Sequence, residues 1–284
     1  MTKLICVDLE TTGTDPKTCE VVQVGGVEVD TSTNDDWSDT TIKVMLCSTL
    51  QPIPEEATDV HKITDADVRG KPHFGTIAAS VIKWLDTADI VVTFNGEVYD
   101  LPIIRRHTPR IRWRPTNHID VYRLWQYLRR VDTAKAPSAV DHEFPASVMT
   151  GSLTAAHCWC LGRDFGDAHD AGVDCLATLD VLWTMTAGVE ATGAVFHESE
   201  HWTLDTCVKL TAEPLPGDVD WSGKLKWAGD EVVFGFGKHK DKPVRDELHT
   251  RGYVDWMLGS DFPEDTREIL IDMRRGKMPK RGAS

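Results

Sequence analysis

The stretch that decides the fold is V-D-L-E-T-T-G at residues 7–13. It follows L-I-C-V at residues 4–7, an apolar run that predicts a buried strand. Asp8 and Glu10 are two positions apart, so on a strand their side chains leave the same face, about 7 Å apart at Cα. Two such carboxylates repel each other unless a cation lies between them. The stretch therefore predicts a metal site, and oxygen ligands with room for water favour Mg²⁺ or Mn²⁺ over zinc.

The pattern up to residue 190 predicts an α/β sheet of mixed strand direction. Three strands are expected first, followed by a fourth that is interleaved with helices. The strands are predicted at 3–9, 21–29, 41–48 and 89–94. Apolar residues at helical spacing and turn signals predict helices near 64–67, 75–86, 99–107, 121–131, 152–161 and 171–188. Residues 132–150 have no clear period and are interpreted as a loop.

Two further polar motifs lie where such a sheet would bring them towards Asp8. Asp100 follows the fourth strand and its Asn95-Gly96 turn, and ligands in open α/β sheets gather at the carboxyl ends of strands. His169 and Asp174 flank the start of the helix predicted at 171–188. Each motif alone has a plain alternative: an Asp at a helix start is often a cap, and a single His-x₄-Asp pair is weak evidence.

Taken together and in this order, the motifs resemble those of the DEDDh 3′–5′ exonuclease superfamily, which includes the DnaQ-like and exonuclease X-like proteins. The likeness covers residues 3–190 and includes V-H-K-I-T at 60–64. It implies a ribonuclease H-like (RNase H-like) mixed sheet of five strands flanked by helices. The chain departs from the family pattern at Phe94, where His is common, and at Tyr99, where Phe is common.

The resemblance also implies roles for single residues. Asp8, Glu10 and Asp174 would hold one Mg²⁺ or Mn²⁺ ion, Asp8 and Asp100 would hold a second, and His169 would be the general base. Two ions suit phosphodiester hydrolysis because they serve both ends of an in-line displacement, and an imidazole can take the proton of the attacking water. Substrate contacts are expected at Leu9, Thr11, Thr12, Asn95 and Tyr99, although the residues after Glu10 also fit a simple turn that leaves the strand.

The resemblance implies a metal-dependent 3′–5′ exonuclease that releases nucleoside 5′-monophosphates, most naturally from DNA during replication or repair. Three alternatives stay open: an exoribonuclease, a proofreading accessory with a polymerase partner, and an inactive nucleic-acid-binding scaffold. The last fits least well, because a scaffold has no need of four acids and a His at these positions.

Composition sets broader limits. The 284 residues are 41% hydrophobic and include ten Trp, which excludes a disordered chain. Seven scattered Cys, no signal-peptide pattern and no apolar run of membrane length predict a cytoplasmic protein without a membrane partner. The net charge of −14 opposes general nucleic-acid binding, so any such contact must be local.

Beyond residue 190, the sequence predicts a linker at 191–220 and a small C-terminal α+β module at 221–284. Strand signals at 231–236 and helices near 251–259 and 263–275 support the module, but few apolar residues predict a core that depends on the large domain. The module carries 13 Lys and Arg against 11 Asp and Glu. It loosely resembles the module of exonuclease X-like proteins, and either nucleic-acid binding or partner docking is expected of it.

Weaker signals complete the prediction. Nucleic-acid contacts are proposed for Arg105 and Arg106, which lie in an Arg cluster, and for Lys238 and Lys240 of the C-terminal module. A solvated turn and strand edge is the simpler explanation of the Arg cluster. Asp120 could be a fifth metal ligand, although a helix N-cap is the commoner role. The grouping of His157, Cys158 and Cys160 could suggest zinc, but its position inside a helix favours packed thiols.

Overall fold

The computed structural model describes residues 2–31, 40–131, 152–162, 169–187, 202–250 and 252–281. The chain divides into two compact units, Met1–Thr211 and Ala212–Ser284. The predicted loop at 132–150 lies outside the described residues. Among the described helices, none has both the length and the apolar character that a membrane crossing requires.

The first unit is built on a five-stranded sheet of mixed direction, in the order β3-β2-β1-β4-β5. The strands are β1 (Lys3–Thr11), β2 (Val21–Asp30), β3 (Thr40–Leu46), β4 (Ile90–Thr93) and β5 (His118–Asp120). The first three form an antiparallel meander, whereas β4 pairs parallel to β1 and β5 pairs parallel to β4. The predicted RNase H-like architecture is confirmed, and β5 escaped the local sequence pattern because three residues are too few to show a period.

Helices cover both faces of this sheet. The unit contains α1 (Glu55–His61), α2 (Asp65–Val68), α3 (Phe74–Leu85), α4 (Asp100–His107), α5 (Val121–Val131), α6 (Leu153–Leu161), α7 (Ala171–Ala187) and α8 (Leu204–Ala212). Alternate residues of β1 face opposite ways: Leu4 and Cys6 pack with α5, α6 and α7, whereas Ile5 and Val7 pack with α3 and α4. This two-sided burial explains why β1 is an almost continuous apolar run.

Two consecutive glycines in β2 let helices approach both faces of the sheet closely. A Cβ added at Gly25 would lie 2.4 Å from the backbone of Ala171, the first residue of α7. A Cβ added at Gly26 would lie 2.1 Å from the Trp84 ring of α3. Any larger side chain at Gly25 would push away the start of α7, which is the segment that carries Asp174.

Two local predictions need correction. Helix α1 was not predicted, because Glu55–His61 shows no strong apolar period. The predicted linker at 191–220 contains helix α8, and Cys207 of that helix is fully buried in the core beside α5 and α7. Residues 188–201 lie outside the described part, so the rest of the linker prediction is left as it was.

The second unit is an α+β module, as predicted. It contains the antiparallel hairpin of β6 (Leu225–Ala228) and β7 (Glu231–Phe234), two short 3₁₀ turns at Gly237–His239 and Val244–Glu247, and helices α9 (Tyr253–Gly259) and α10 (Glu264–Arg274). The expectation of a dependent core is wrong. Its members come from every one of these elements except the first turn, and Phe234, Val254, Met257 and Leu270 are fully buried among them. The sequence count missed this core because Met, Val and Tyr supply much of it.

Candidate active site

Three carboxylates meet at the end of β1. Asp8 and Glu10 project from the same face of the strand, and Asp174 lies in the first turn of α7. One carboxylate oxygen from each lies within 4.8 Å of the other two. Within the described ranges no other group of His, Cys, Asp and Glu side chains gathers in this way. The structure therefore brings together residues that are 166 positions apart at their extremes.

Asp100 adds a fourth carboxyl group. It is the first residue of α4, just beyond the carboxyl end of β4, and is only 3% exposed. Its Oδ1 atom is buried and has no hydrogen-bond partner. A buried carboxylate oxygen without a partner is costly, because it has lost water and gained nothing in return. The predicted position of Asp100 at a helix start is confirmed, and no side-chain hydrogen bond caps this helix.

Crowding and burial raise the pKa values of all four acids. Burial raises the pKa of Asp8 well above its usual range, and the neighbouring charges of Asp100, Glu10 and Asp174 add to the effect. Burial raises the pKa of Glu10 to about 7 and that of Asp100 to about 8, and it also raises the pKa of Asp174. Such a site resists holding four negative charges by itself, so a bound cation would stabilise it.

The donor set fits divalent metal ions. All the converging atoms are carboxylate oxygens, which suit Mg²⁺ or Mn²⁺. The separation of at most 4.8 Å between the oxygens of Asp8, Glu10 and Asp174 lets them share one ion at ligand distances near 2.1 Å. The unpartnered Oδ1 of Asp100 is a further oxygen available to an ion or to its water.

His169 stands beside this cluster in an unusual backbone conformation. Its φ is +75°, in the left-handed region, and its backbone N–H donates to Asp174 Oδ1 at 3.3 Å. The His169 side chain is exposed. The backbone bend therefore connects the candidate base to a candidate metal ligand directly, while residues 163–168 before it lie outside the described part.

Two residues that the sequence did not single out fix this corner. Asp170 Oδ1 accepts hydrogen bonds from the N–H groups of Gly172 (3.0 Å) and Val173 (3.2 Å), and so caps α7. Gln23 of β2 donates from Nε2 to Asp170 Oδ2 (2.9 Å), and its Oε1 accepts from the N–H of Ala171 (2.9 Å). Gln23 thus clips the start of α7 to the sheet. A buried amide in an otherwise apolar strand was the available signal.

Asp120 plays a similar part for the turn before Asp100. One carboxylate oxygen accepts from the N–H of Asn95 (2.8 Å) and of Tyr122 (3.2 Å), and the other accepts from the N–H of Glu97 (3.2 Å). Burial raises the Asp120 pKa to about 6, against these hydrogen bonds. The alternative of a cap is confirmed, because the side chain ties the first turn of α5 to the turn at Asn95, whose φ is +63°.

The predicted substrate residues are brought near one another but differ in exposure. The hydroxyl groups of Thr11 and Tyr99 lie 2.5 Å apart, and the Tyr99 hydroxyl also donates to the Gly13 carbonyl. Thr12 Oγ1 accepts from the N–H of Glu20 at 2.9 Å. Leu9, by contrast, packs in the core on the α3–α4 side of the sheet. Tyr99 therefore closes the turn after β1, a contact that the Phe common in the family could not make.

The V-H-K-I-T segment approaches the same turn. His61 is buried at the end of α1, and its Nδ1 accepts from the N–H of Ile63 at 3.0 Å. Burial lowers the pKa of His61, which keeps the ring neutral at neutral pH. The Nε2 atom on the opposite edge of the ring is buried and has no hydrogen-bond partner among the described residues.

The two arginines have partners within the protein. Arg106 donates from Nη1 to the Pro16 carbonyl (2.8 Å) and from Nη2 to the Cys19 carbonyl, so it braces the loop between β1 and β2. Arg105 Nη1 lies 3.6 Å from Glu97 Oε1. Nucleic-acid contact by these residues stays a prediction, and the loop brace is the role that the geometry itself displays.

The possible zinc group of His157, Cys158 and Cys160 packs in the core as part of one helix. His157, Cys158 and Cys160 are buried in α6, and His157 Nε2 lies 3.5 Å from Asp180 of α7. All seven cysteines are buried, and none of them forms a disulfide bond. Lys238 and Lys240 are exposed in the second unit, where the 3₁₀ turn at Gly237–His239 ends.

The acidic cluster lies at the end of β1, the central strand of the RNase H-like sheet. A sequence model of the exonuclease family of ribonuclease T type matches residues 5–182, which is more than half of the chain. The chain belongs to this exonuclease family, and its predicted membership of the DnaQ-like superfamily is confirmed. No curated protein matches the sequence.

Solved structures show the same fold. Escherichia coli exonuclease I bound to a dA16 oligonucleotide aligns with a TM-score of 0.52 at 18% identity, over 65% of this chain and 41% of that one. The zinc-bound complex of E. coli exonuclease I with single-stranded DNA gives 0.51 at 19%, over 65% and 40%. Exonuclease I of Methylocaldum szegediense gives 0.50 at 19%, over the same shares. The chain thus spans about two fifths of these enzymes' own length.

Proposed function

We propose that the protein is a metal-dependent 3′–5′ exonuclease that hydrolyses DNA to nucleoside 5′-monophosphates. One observation supports this most strongly. Three carboxylates converge within 4.8 Å, beside a fourth whose buried oxygen has no partner. Such a set is costly to fold and serves no packing purpose, whereas two divalent ions would neutralise it.

Asp8, Glu10 and Asp174 would hold one ion, and Asp8 and Asp100 the other. When bound, the ions supply a polarised phosphate and a water of lowered pKa. His169 takes the proton of the attacking water as general base, and its exposed side chain can meet a water that enters from solvent. The clip at Gln23 and the cap at Asp170 hold Asp174 and His169 in their places.

The 3′ end of the strand would lie against the turn after β1. Thr11, Thr12, Asn95 and Tyr99 would contact it. Thr11 follows Glu10 and Tyr99 precedes Asp100, and the bond between the Thr11 and Tyr99 hydroxyls joins these two segments. The buried Leu9 would contribute through its backbone. DNA is the preferred substrate because solved proteins of this fold were crystallised with DNA oligonucleotides. RNA is a second outcome that the same metals would permit.

Digestion of end-labelled oligonucleotides tests the proposal. Single-stranded DNA labelled at its 5′ end should shorten stepwise in Mg²⁺ or Mn²⁺, and a label in the 3′-terminal nucleotide should appear at once as a monophosphate. Chelator should stop both reactions. RNA of the same sequence and double-stranded DNA are digested in parallel to rank the substrates.

The matched variants are Asp8→Ala and Asp59→Ala. Asp8 belongs to the cluster, whereas Asp59 is exposed on α1. Asp8→Ala should lose cleavage by about a thousandfold or more while keeping its fold, because loss of a ligand removes several kcal/mol of charge stabilisation. Asp59→Ala should cleave normally. Undiminished cleavage by purified Asp8→Ala would refute the proposal.

A further inference from the structure

Four aromatic side chains form a closed group on the second unit. Successive ring centroids are 5.9 Å (Phe236 to Tyr253), 5.1 Å (Tyr253 to Trp256), 5.3 Å (Trp256 to Phe262) and 5.4 Å (Phe262 to Phe236) apart. We call these four residues the aromatic cluster. They come from the segment after β7, from α9 and from the loop between α9 and α10, so only the folded unit assembles them.

The aromatic cluster lies at the edge of the core, with some of its rings buried and others exposed to solvent. Tyr253 is 9% exposed and packs with Phe234 of the core, with ring centroids 5.1 Å apart. Phe236 and Phe262 are half-buried, and Trp256 is 50% exposed. A Trp with half of its large apolar surface in water gives up burial energy that a more enclosed position would have provided. A ligand that covered it would recover that energy.

Lysine side chains lie around the aromatic cluster. Lys224 Nζ lies 5.0 Å from the centroid of the Phe236 ring, and Lys238 Nζ lies 5.9 Å from that of Tyr253. The same loop carries Lys240 and Lys242, both exposed. Ion pairs occur elsewhere among the described residues, but none of these four lysines takes part in one. Their charges are therefore available to an anion.

The acidic groups near the aromatic cluster are partly engaged. Asp255, next to Trp256, forms an ion pair with Arg274 at 2.5 Å. Glu247 lies 3.5 Å from the ring of His239. Asp241 is the one acid in the segment 236–243, against three lysines. The segment 236–243 is therefore net positive, unlike the whole chain.

The loop geometry that creates this face depends on a glycine. Gly237 has a φ of +65°, and a Cβ added there would lie 2.4 Å from the Tyr253 hydroxyl. The loop can therefore close over Tyr253 only without a side chain at this position. It places the His239 ring parallel to the Tyr253 ring, 4.4 Å away at an angle of 14°. The turn at Gly237 thus sets the stacked arrangement of the His239 and Tyr253 rings.

We propose that this lysine-bordered aromatic cluster is a binding site for single-stranded nucleic acid. Unpaired bases offer flat faces that stack on aromatic rings, and the phosphates between them meet lysines, so the two features recognise the two parts of one polymer. A duplex keeps its bases stacked inside, so it would meet the lysines alone. The inference rests on the proposed function for the choice of polymer, and its site is distinct from the acidic centre.

Fluorescence anisotropy with the full chain in excess chelator tests it, using labelled dT₂₀ at low salt as the probe. Trp256→Ala should weaken binding by about 5- to 100-fold, because stacking of a base contributes about 1–3 kcal/mol. Trp256→Phe keeps an aromatic ring and should retain most of the affinity. Lys240→Glu should weaken binding severalfold and reduce its dependence on salt. Unlabelled single-stranded DNA or RNA should compete well, and duplex DNA poorly.

The controls lie in the same unit and match the exposure and charge change. Met278→Ala is the control for Trp256→Ala, because Met278 is 53% exposed. Arg267→Glu is the control for Lys240→Glu, because Arg267 is also an exposed cation. Both should bind within twofold of the parent chain. Equal binding by the test variants and their controls would overturn the inference, as would the loss of binding in Trp256→Phe.

The assay separates this inference from the proposed function. Cleavage in Mg²⁺ without any effect of Trp256→Ala on binding would retain the exonuclease and reject the aromatic site. Binding that depends on Trp256, in a chain that does not cleave with Mg²⁺ or Mn²⁺, would retain the site and reject the exonuclease.

Discussion

The acidic centre of the first unit and the aromatic cluster of the second solve opposite problems. The acidic centre crowds four carboxyl groups together, of which Glu10 and Asp100 are buried, and desolvation with mutual repulsion raises the pKa of each. The aromatic cluster leaves a Trp half exposed and lysines unpaired at the surface. The acidic centre suits small cations bound in a fixed geometry. The aromatic cluster offers flat rings and lysine side chains to a polymer.

The difference shows in how each site is supported. Around the acidic centre, hydrogen bonds that involve the side chains of Gln23, Asp170 and Asp120 hold the segments that carry the acidic residues. Around the aromatic cluster, the contacts are ring against ring, and the main requirement is a glycine at 237. Catalysis by metal ions depends on placement within fractions of an ångström, whereas stacking tolerates a range of bases.

The largest expected effect separates the two sites completely. Asp174→Asn should reduce cleavage by about a thousandfold or more, because a neutral amide cannot replace a carboxylate ligand. Binding of dT₂₀ in chelator should not fall, since the aromatic cluster is untouched. A gel assay and anisotropy on the same preparation measure both quantities. Parallel losses in the two assays would contradict the separation.

His169→Ala should have a smaller effect than the loss of a ligand. General-base catalysis contributes about 10²- to 10⁴-fold, and bound metal would still activate water. Because the His169 side chain is exposed, added imidazole should restore part of the rate in this variant. Single-turnover cleavage with and without imidazole is the measurement. Wild-type activity in the variant at neutral pH would remove the assignment of His169 as base.

Gln23→Leu should reduce cleavage by about 10- to 100-fold, the usual range for residues that orient metal ligands. The variant loses both bonds to the start of α7, so Asp174 and His169 are less well placed. The Mg²⁺ concentration needed for half-maximal activity should rise, which a general loss of stability would not produce. Gln51→Leu, at an exposed position, is the matched control. An unchanged Mg²⁺ requirement would contradict the clip.

Asp100→Asn should stabilise the metal-free protein modestly, and the size of the gain should depend on pH. The folded pKa of Asp100 is about 8 against 3.8 when free, so its contribution to stability is complete below pH 3.8 and is lost as the pH rises to about 8. In chelator the melting temperature of the variant should therefore exceed that of the wild type by several degrees at pH 8.5. At pH 4.5 the two melting temperatures should differ little. Mg²⁺ should stabilise the wild type more than the variant. A constant difference across this pH range would contradict the buried carboxyl.

Much of the acidic centre could be predicted from the sequence because its chemistry lies in residue types. Asp8 and Glu10 share a face by strand geometry, and the motifs at Asp100 and Asp174 follow recognisable elements. Gln23 could not be assigned in this way. Gln23 clips α7 only because β2 pairs with β1 in a register that sets it opposite Glu10, and that register is a long-range property.

The second unit marks the other limit. The sequence by itself determined which acids are candidate metal ligands, the α/β class and the lysine-rich loop, since these depend on side-chain chemistry and local periodicity. Only the tertiary structure decided that Phe236, Tyr253, Trp256 and Phe262 close into one group, and that Tyr99 reaches Thr11. The reason is that contacts between distant segments depend on packing angles and register, which no local pattern of residues encodes.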